Sequence, residues 1–181
     1  MKQRGFTLIE LIIVIVILGI LAVTAAPKFI DIQSDARGAT LQGVKASIET
    51  AISGVYGKSL IAGNQGSASG ATPAPTITVN GQTISLNYGY PTGTAAQWAD
   101  LLELNIDEFK TIFLSAGVDT NNSGTADIGA TEGALVIYPA GYTAPSADTS
   151  SAGNDQCFVY YSNELTTTGS KPSIGVVDTE C

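Results

Sequence analysis

The sequence has no histidine, which removes histidine-based triads, histidine-ligated zinc and ordinary general-base chemistry near neutral pH. It contains no Gly-x-Gly and no Walker A sequence, so the glycine loops that cradle dinucleotides and nucleoside triphosphates are missing. Basic residues are scarce, 8 against 16 acidic ones, giving a formal charge of −8 and a pI near 4.2. Nucleic acid is therefore not an expected partner, because phosphate contacts need clustered Lys and Arg. Charged residues make up only 13% of the chain, while 20 glycines and 7 prolines among 181 residues point to a neutral, loop-rich body. That length suits one compact domain with an appendage. No enzymatic activity is expected from this inventory.

What is present is concentrated in the first thirty residues. Met1 to Gly5 is short and basic through Lys2 and Arg4, and Phe6 to Ala26 follows as 21 residues with one charge, Glu10. At 1.5 Å per residue this run is roughly 31 Å long, matching the ~30 Å hydrocarbon thickness of a bilayer. No basic residue follows until Lys28, so the N-terminus is expected on the cytoplasmic side and the body outside. A secretory signal cut near Val23-Thr24-Ala25 and a plain membrane anchor are the competing readings. The run is long for a signal core, and neither reading accounts for a carboxylate that costs about 2.5–3.5 kcal/mol at membrane depth.

The residues Gly5-Phe6-Thr7-Leu8-Ile9-Glu10 resemble the processing signal of type IV prepilins and of the related pseudopilins of type II secretion. The resemblance implies a membrane peptidase and methyltransferase that cuts between Gly5 and Phe6 and methylates the new N-terminus at Phe6. It makes Glu10 the fifth residue of the mature chain, where its carboxylate can neutralise the Phe6 ammonium of a neighbouring subunit in low dielectric. Gly19 and Pro27 bracket the second half of the apolar helix. A proline inside a helix removes a hydrogen bond and crowds the preceding turn, so a kink or local loss of helix is expected at Pro27. In the family this segment melts when subunits pack.

Past Pro27 the pattern turns amphipathic, with Phe29, Ile32, Ala36, Leu41, Val44, Ile48, Ala51 and Val55 near helical spacing. One helix from Phe6 to about Tyr56 is expected. The chain therefore divides into a leader (1–5), a transmembrane or filament-core helix (6–26), its amphipathic continuation (27–57) and a globular head (58–181). Residues 63–75 read as a low-complexity loop, and Asn80-Gly81 as a hairpin turn between 76–79 and 82–86. Residues 97–104 and 107–116 read as short helices. Asp100, Glu103 and Asp107 read as a solvated acidic face. The runs 134–138, 157–161 and 174–177 read as strands. The expected class is α+β, a pilin fold whose helical spine packs on an antiparallel sheet.

Cys157 and Cys181 are the only cysteines, and an extracytoplasmic head favours a disulfide between them. They resemble the disulfide-bounded C-terminal region of type IV pilins. Asp119, Asn121, Ser123, Thr125 and Asp127, with Gly124, resemble the start of an EF-hand-like calcium loop, but Ala130 stands where the closing glutamate belongs. Calcium and an Asx-rich turn are both open readings there, and no other cofactor is expected. Asn121-Asn122-Ser123 is also a formal glycosylation sequon. Pro27 to Arg37 resembles the matching stretch of mannose-sensitive haemagglutinin (MSHA) pilins. The function implied is a homo-oligomeric pilus subunit of a Gram-negative bacterium. It would be held in the inner membrane, polymerised outside by the pilus assembly machinery, and adhesive to host or environmental surfaces. A type II secretion pseudopilin or a minor pilin is the alternative.

Overall fold

The computed structural model describes residues 7–92, 94–105, 107–121, 125–129, 133–145 and 156–181, with only the backbone at Ile30 and Asp31. It begins with α1, Leu8–Ala62, a helix of 55 residues and so roughly 82 Å. Its C-terminus is set by Gly63, which takes the left-handed conformation (φ 74°) that a side chain disfavours. The helix runs six residues past the expected end at Tyr56. Nothing breaks it before Gly63, and Val55 and Ser59 continue its buried stripe.

The helical assignment passes through Pro27 without interruption, so the expected local loss of helix does not occur in the single chain. One proline removes one backbone bond, and long helical flanks on both sides hold the turn in place. The buried stripe also differs from its sequence extent. Leu41, Val44, Ile48, Ile52 and Val55 are buried at steps of three and four, whereas Phe29 (68% exposed), Ile32 (61%) and Ala36 are not covered. The head reaches the helix from Arg37 onward, and burial begins at Gly38.

After α1 come β1 (Thr76–Val79), β2 (Gln82–Asn87), β3 (Tyr90–Pro91), α2 (Ala95–Leu102), β4 (Phe109–Leu114), β5 (Ala134–Pro139), β6 (Phe158–Ser162) and β7 (Ser173–Val177). They form two antiparallel sheets, β1-β2-β3 and β4-β5-β6-β7. The segment expected as a second short helix, 107–116, is instead the edge strand β4. Phe-Lys-Thr-Ile-Phe-Leu pairs in unbroken register with β5, from Phe109 with Pro139 to Leu114 with Ala134. The exposure does not alternate, since Lys110 and Phe113 are the exposed positions; the pairing with β5 and the β-branched and aromatic content are what make it a strand.

β5 is buried on both faces. Leu135 and Ile137 meet Leu41, Ile48 and Ile52 of α1 together with Trp98, Val159 and Tyr161. Ala134, Val136 and Tyr138 meet Val118 and Phe158 on the opposite side. The β1–β2 hairpin packs separately on Val55 through Ile77, Ile84 and Leu86. The two sheets are joined by a buried amide pair. Asn163 Nδ2 donates to the carbonyls of Tyr90 and Pro91, and Asn87 Nδ2 donates to Leu165 O. Tyr161 adds a hydroxyl bond of 2.6 Å to Pro91 O.

Candidate functional site

The processing junction, Gly5 and Phe6, lies outside the described residues. Immediately after it, Thr7 caps α1 and Glu10 closes a capping box. Glu10 Oε2 accepts from the Thr7 amide at 2.8 Å and from the Thr7 hydroxyl at 2.7 Å, while the Glu10 amide donates to Thr7 Oγ1 at 3.3 Å. The role of Thr7 goes beyond the sequence expectations, although Thr-x-x-Glu before an apolar run is the signature of such a box. Both bonds to the carboxylate end on Oε2, and Oε1 carries none among the described residues. The carboxylate is thus turned back toward the N-cap of α1.

Around Glu10 the helix is bare. Leu8, Ile9, Leu11 and Ile17 are all at least half exposed, and a Cβ added at Gly19 would meet nothing within 4 Å. So long a stretch of apolar surface without protein cover calls for lipid or other helices.

At the other end of the site the head is tied to α1. Cys157 and Cys181 form the disulfide, with a Cα separation of 4.9 Å, and both are buried. Arg37 Nη1 then donates to Cys181 O at 2.9 Å and to Tyr142 Oη at 2.8 Å, and Tyr142 Oη itself donates to Cys181 O at 2.7 Å. The guanidinium also lies 5.5 Å from the centre of the Tyr142 ring. Helical spacing alone puts Arg37 on the solvent side of α1. A partner 144 residues away in sequence leaves no local signal.

Of the calcium-loop candidates, Ser123 lies outside the described residues; Asp119, Asn121, Thr125 and Asp127 are described. Asp127 accepts from the Thr120 amide (2.9 Å), the Thr120 hydroxyl (2.7 Å) and Asn121 Nδ2 (3.0 Å), and Asp119 Oδ1 accepts from the Asn121 amide (3.1 Å). No group of three or more His, Cys, Asp or Glu able to hold a metal occurs among the described residues. Asp100, Glu103 and Asp107 are exposed, as a solvated face requires.

Comparison with known proteins bears on this arrangement. The family model for the prokaryotic N-terminal methylation motif matches residues 1–26. The chain is 36% identical over 115 residues to the type IV narrow pilus major component PilA5 of Thermus thermophilus, covering 59% of this chain and 97% of that one. It is 48% identical over 50 residues to the type IV major alpha-pilin of Moraxella bovis, covering 28% of this chain and 31% of that one. No solved structure gives a significant match. A methylation motif, a bare apolar half-helix bearing Glu10, an α+β head and a likeness spanning nearly the whole of a pilus component's length converge on one family, and the chain belongs to the type IV pilins.

Proposed function

We propose that this pilin is the structural subunit of an extracellular type IV pilus used for adhesion and surface attachment. It is inserted in the inner membrane of a Gram-negative cell with its N-terminus cytoplasmic. A prepilin peptidase and methyltransferase cuts between Gly5 and Phe6 and methylates Phe6, and the assembly machinery of that membrane polymerises the product. The observation that carries this reading is that α1 leaves its apolar N-terminal half uncovered by its own head. Before assembly, lipid covers that surface; after it, the same half of neighbouring subunits does. Glu10 then pairs with the Phe6 ammonium of a neighbour. The role is structural, without a reaction.

Within the family, the stretch Pro27 to Arg37 and the late disulfide support an MSHA-type major pilin. The test is mass spectrometry of the mature chain together with its abundance in sheared surface material. A methylated Phe6 and a dominant band there are expected. A mature chain starting near Ala26 would restore the signal-peptide reading, and absence from sheared material would point to the pseudopilin. For the loop at 119–127 we favour a hydrogen-bonded turn over a calcium site, because both Asp127 oxygens already hold loop donors. Calorimetric titration with calcium is expected to show no saturable heat.

A further inference from the structure

Phe29 and Ile32 lie past the membrane-length run yet before the point where the head meets α1, and both side chains are exposed. The head carries a cleft of about 510 Å³ lined by Glu49, Ile52, Ser53, Tyr56, Tyr90, Lys171, Pro172 and Ile174. Two of its lining rings are packed together: Tyr56 and Tyr90 stack at 4.5 Å with an interplanar angle of 13°. Glu49 and Lys171 line the cleft with opposite charges. We propose that this cleft is a docking site for a second copy of the chain, which seats the α1 stretch Lys28 to Asp35 there with Ile32 at its centre. The proposal rests on the filament reading given above.

The argument is one of register. Lys28, Ile32 and Asp35 are spaced i, i+4, i+7 and share one helix face. Glu49, Ser53 and Tyr56 are spaced identically on the same helix and all line the cleft. A single axial shift of 21 residues, roughly 31 Å, superposes the two triplets. It sets Lys28 beside Glu49, Ile32 over Ile52 and Ser53, and Asp35 beside Tyr56.

The position of Lys171 fixes the polarity. β7 runs opposite to α1, because a Cβ on Gly38 would touch Asp178 and Arg37 holds Cys181, whereas Ile174 lines the cleft. Seven residues back from Asp178, at ~3.3 Å each, carry the chain to Lys171, about level with Ser53 and Tyr56. A parallel neighbour therefore meets Glu49 with Lys28 and Lys171 with Asp35. An antiparallel one would bring Lys28 to Lys171 and Asp35 to Glu49, two repulsions. Glu49 is available for the exchange, since its 3.8 Å pair with Lys45 is a solvated i,i+4 contact of small worth. Parallel stacking is what a polar filament requires.

The test compares filament yield with membrane-extracted subunit level for Lys28→Glu, Glu49→Lys and the double swap, alongside an Ile32→Cys/Ser53→Cys pair. Each single reversal is expected to lower yield several-fold and the swap to restore it. The cysteine pair should give intersubunit ladders in non-reducing gels of filaments and none in membrane extracts. Filaments that assemble normally with either reversal and without ladders would overturn the docking site and leave the filament reading intact. If Ile32→Ser lowers the membrane-resident subunit while filament per subunit is unchanged, the patch serves the bilayer interface and the docking site is wrong. Ladders to a different protein would also overturn it. Wild-type chains that never form filaments would instead overturn the reading beneath it.

Discussion

A carboxylate one turn into an apolar helix must find donors, and Thr7 supplies two of them from within the chain. In the proposed assembly, this local satisfaction would hold Glu10 in the membrane until a neighbouring ammonium arrives. Glu10→Gln and Glu10→Ala should leave insertion intact while filament yield falls sharply, since the Phe6 ammonium would enter the apolar core unpaired. Breaking such a buried pair costs about 3–5 kcal/mol. Surface filament yield beside membrane-extracted subunit is the measurement, and normal filaments built only from Glu10→Ala subunits would refute the role. In the head, Tyr161 shows the converse economy. Burial first, then the neighbouring Tyr90, pushes its phenol well above the ordinary range. The folded chain thus keeps a proton that the unfolded chain releases near pH ~10. Unfolding then releases a proton above that pH, so stability is fully present below about pH 10 and declines as pH rises beyond it. Denaturation followed through Trp98, which packs 4.6 Å from the Tyr161 ring, should show that decline. Tyr161→Phe should flatten it while lowering stability at neutral pH by about 1 kcal/mol, for want of the bond to Pro91.

Among the elements, those declared by periodicity or turn chemistry were legible in the chain itself: α1, the Asn80-Gly81 hairpin, α2 and the runs that became β5, β6 and β7. β4 was not. Asp107 and Glu108 mimic the acidic first turn of a helix, and what makes 109–114 a strand is pairing with β5, some 25 residues onward. The site was legible where its chemistry is consecutive, from Gly5 to Glu10, and in the lone cysteine pair. It was illegible where partners lie far apart in sequence, as with Arg37, Tyr142 and Cys181. The disulfide closes a segment of 24 residue steps, a constraint worth about 3.5 kcal/mol in the chain-entropy account. Reduction should lower head stability by that order and release residues near 178–181 to proteases. Free thiols at Cys157 and Cys181 in native filaments would contradict this.

On the scale of the whole molecule, no residue before Gly38 is buried among the described residues. A variant lacking residues 1–27 should therefore be a soluble monomer that keeps its disulfide and its buried Trp98. Gel filtration and tryptophan emission are the checks; an aggregated product with solvent-exposed Trp98 would show that the apolar half-helix is part of the fold. The same division has a mechanical consequence. α1 holds the head along one side from Leu41 to Ser59, about 27 Å of contact lying parallel to the helix axis. Tension applied along that axis loads the whole seam in shear, so its contacts resist together. A sideways pull would peel them open one after another, beginning at the edge where Arg37 grips the chain at Cys181.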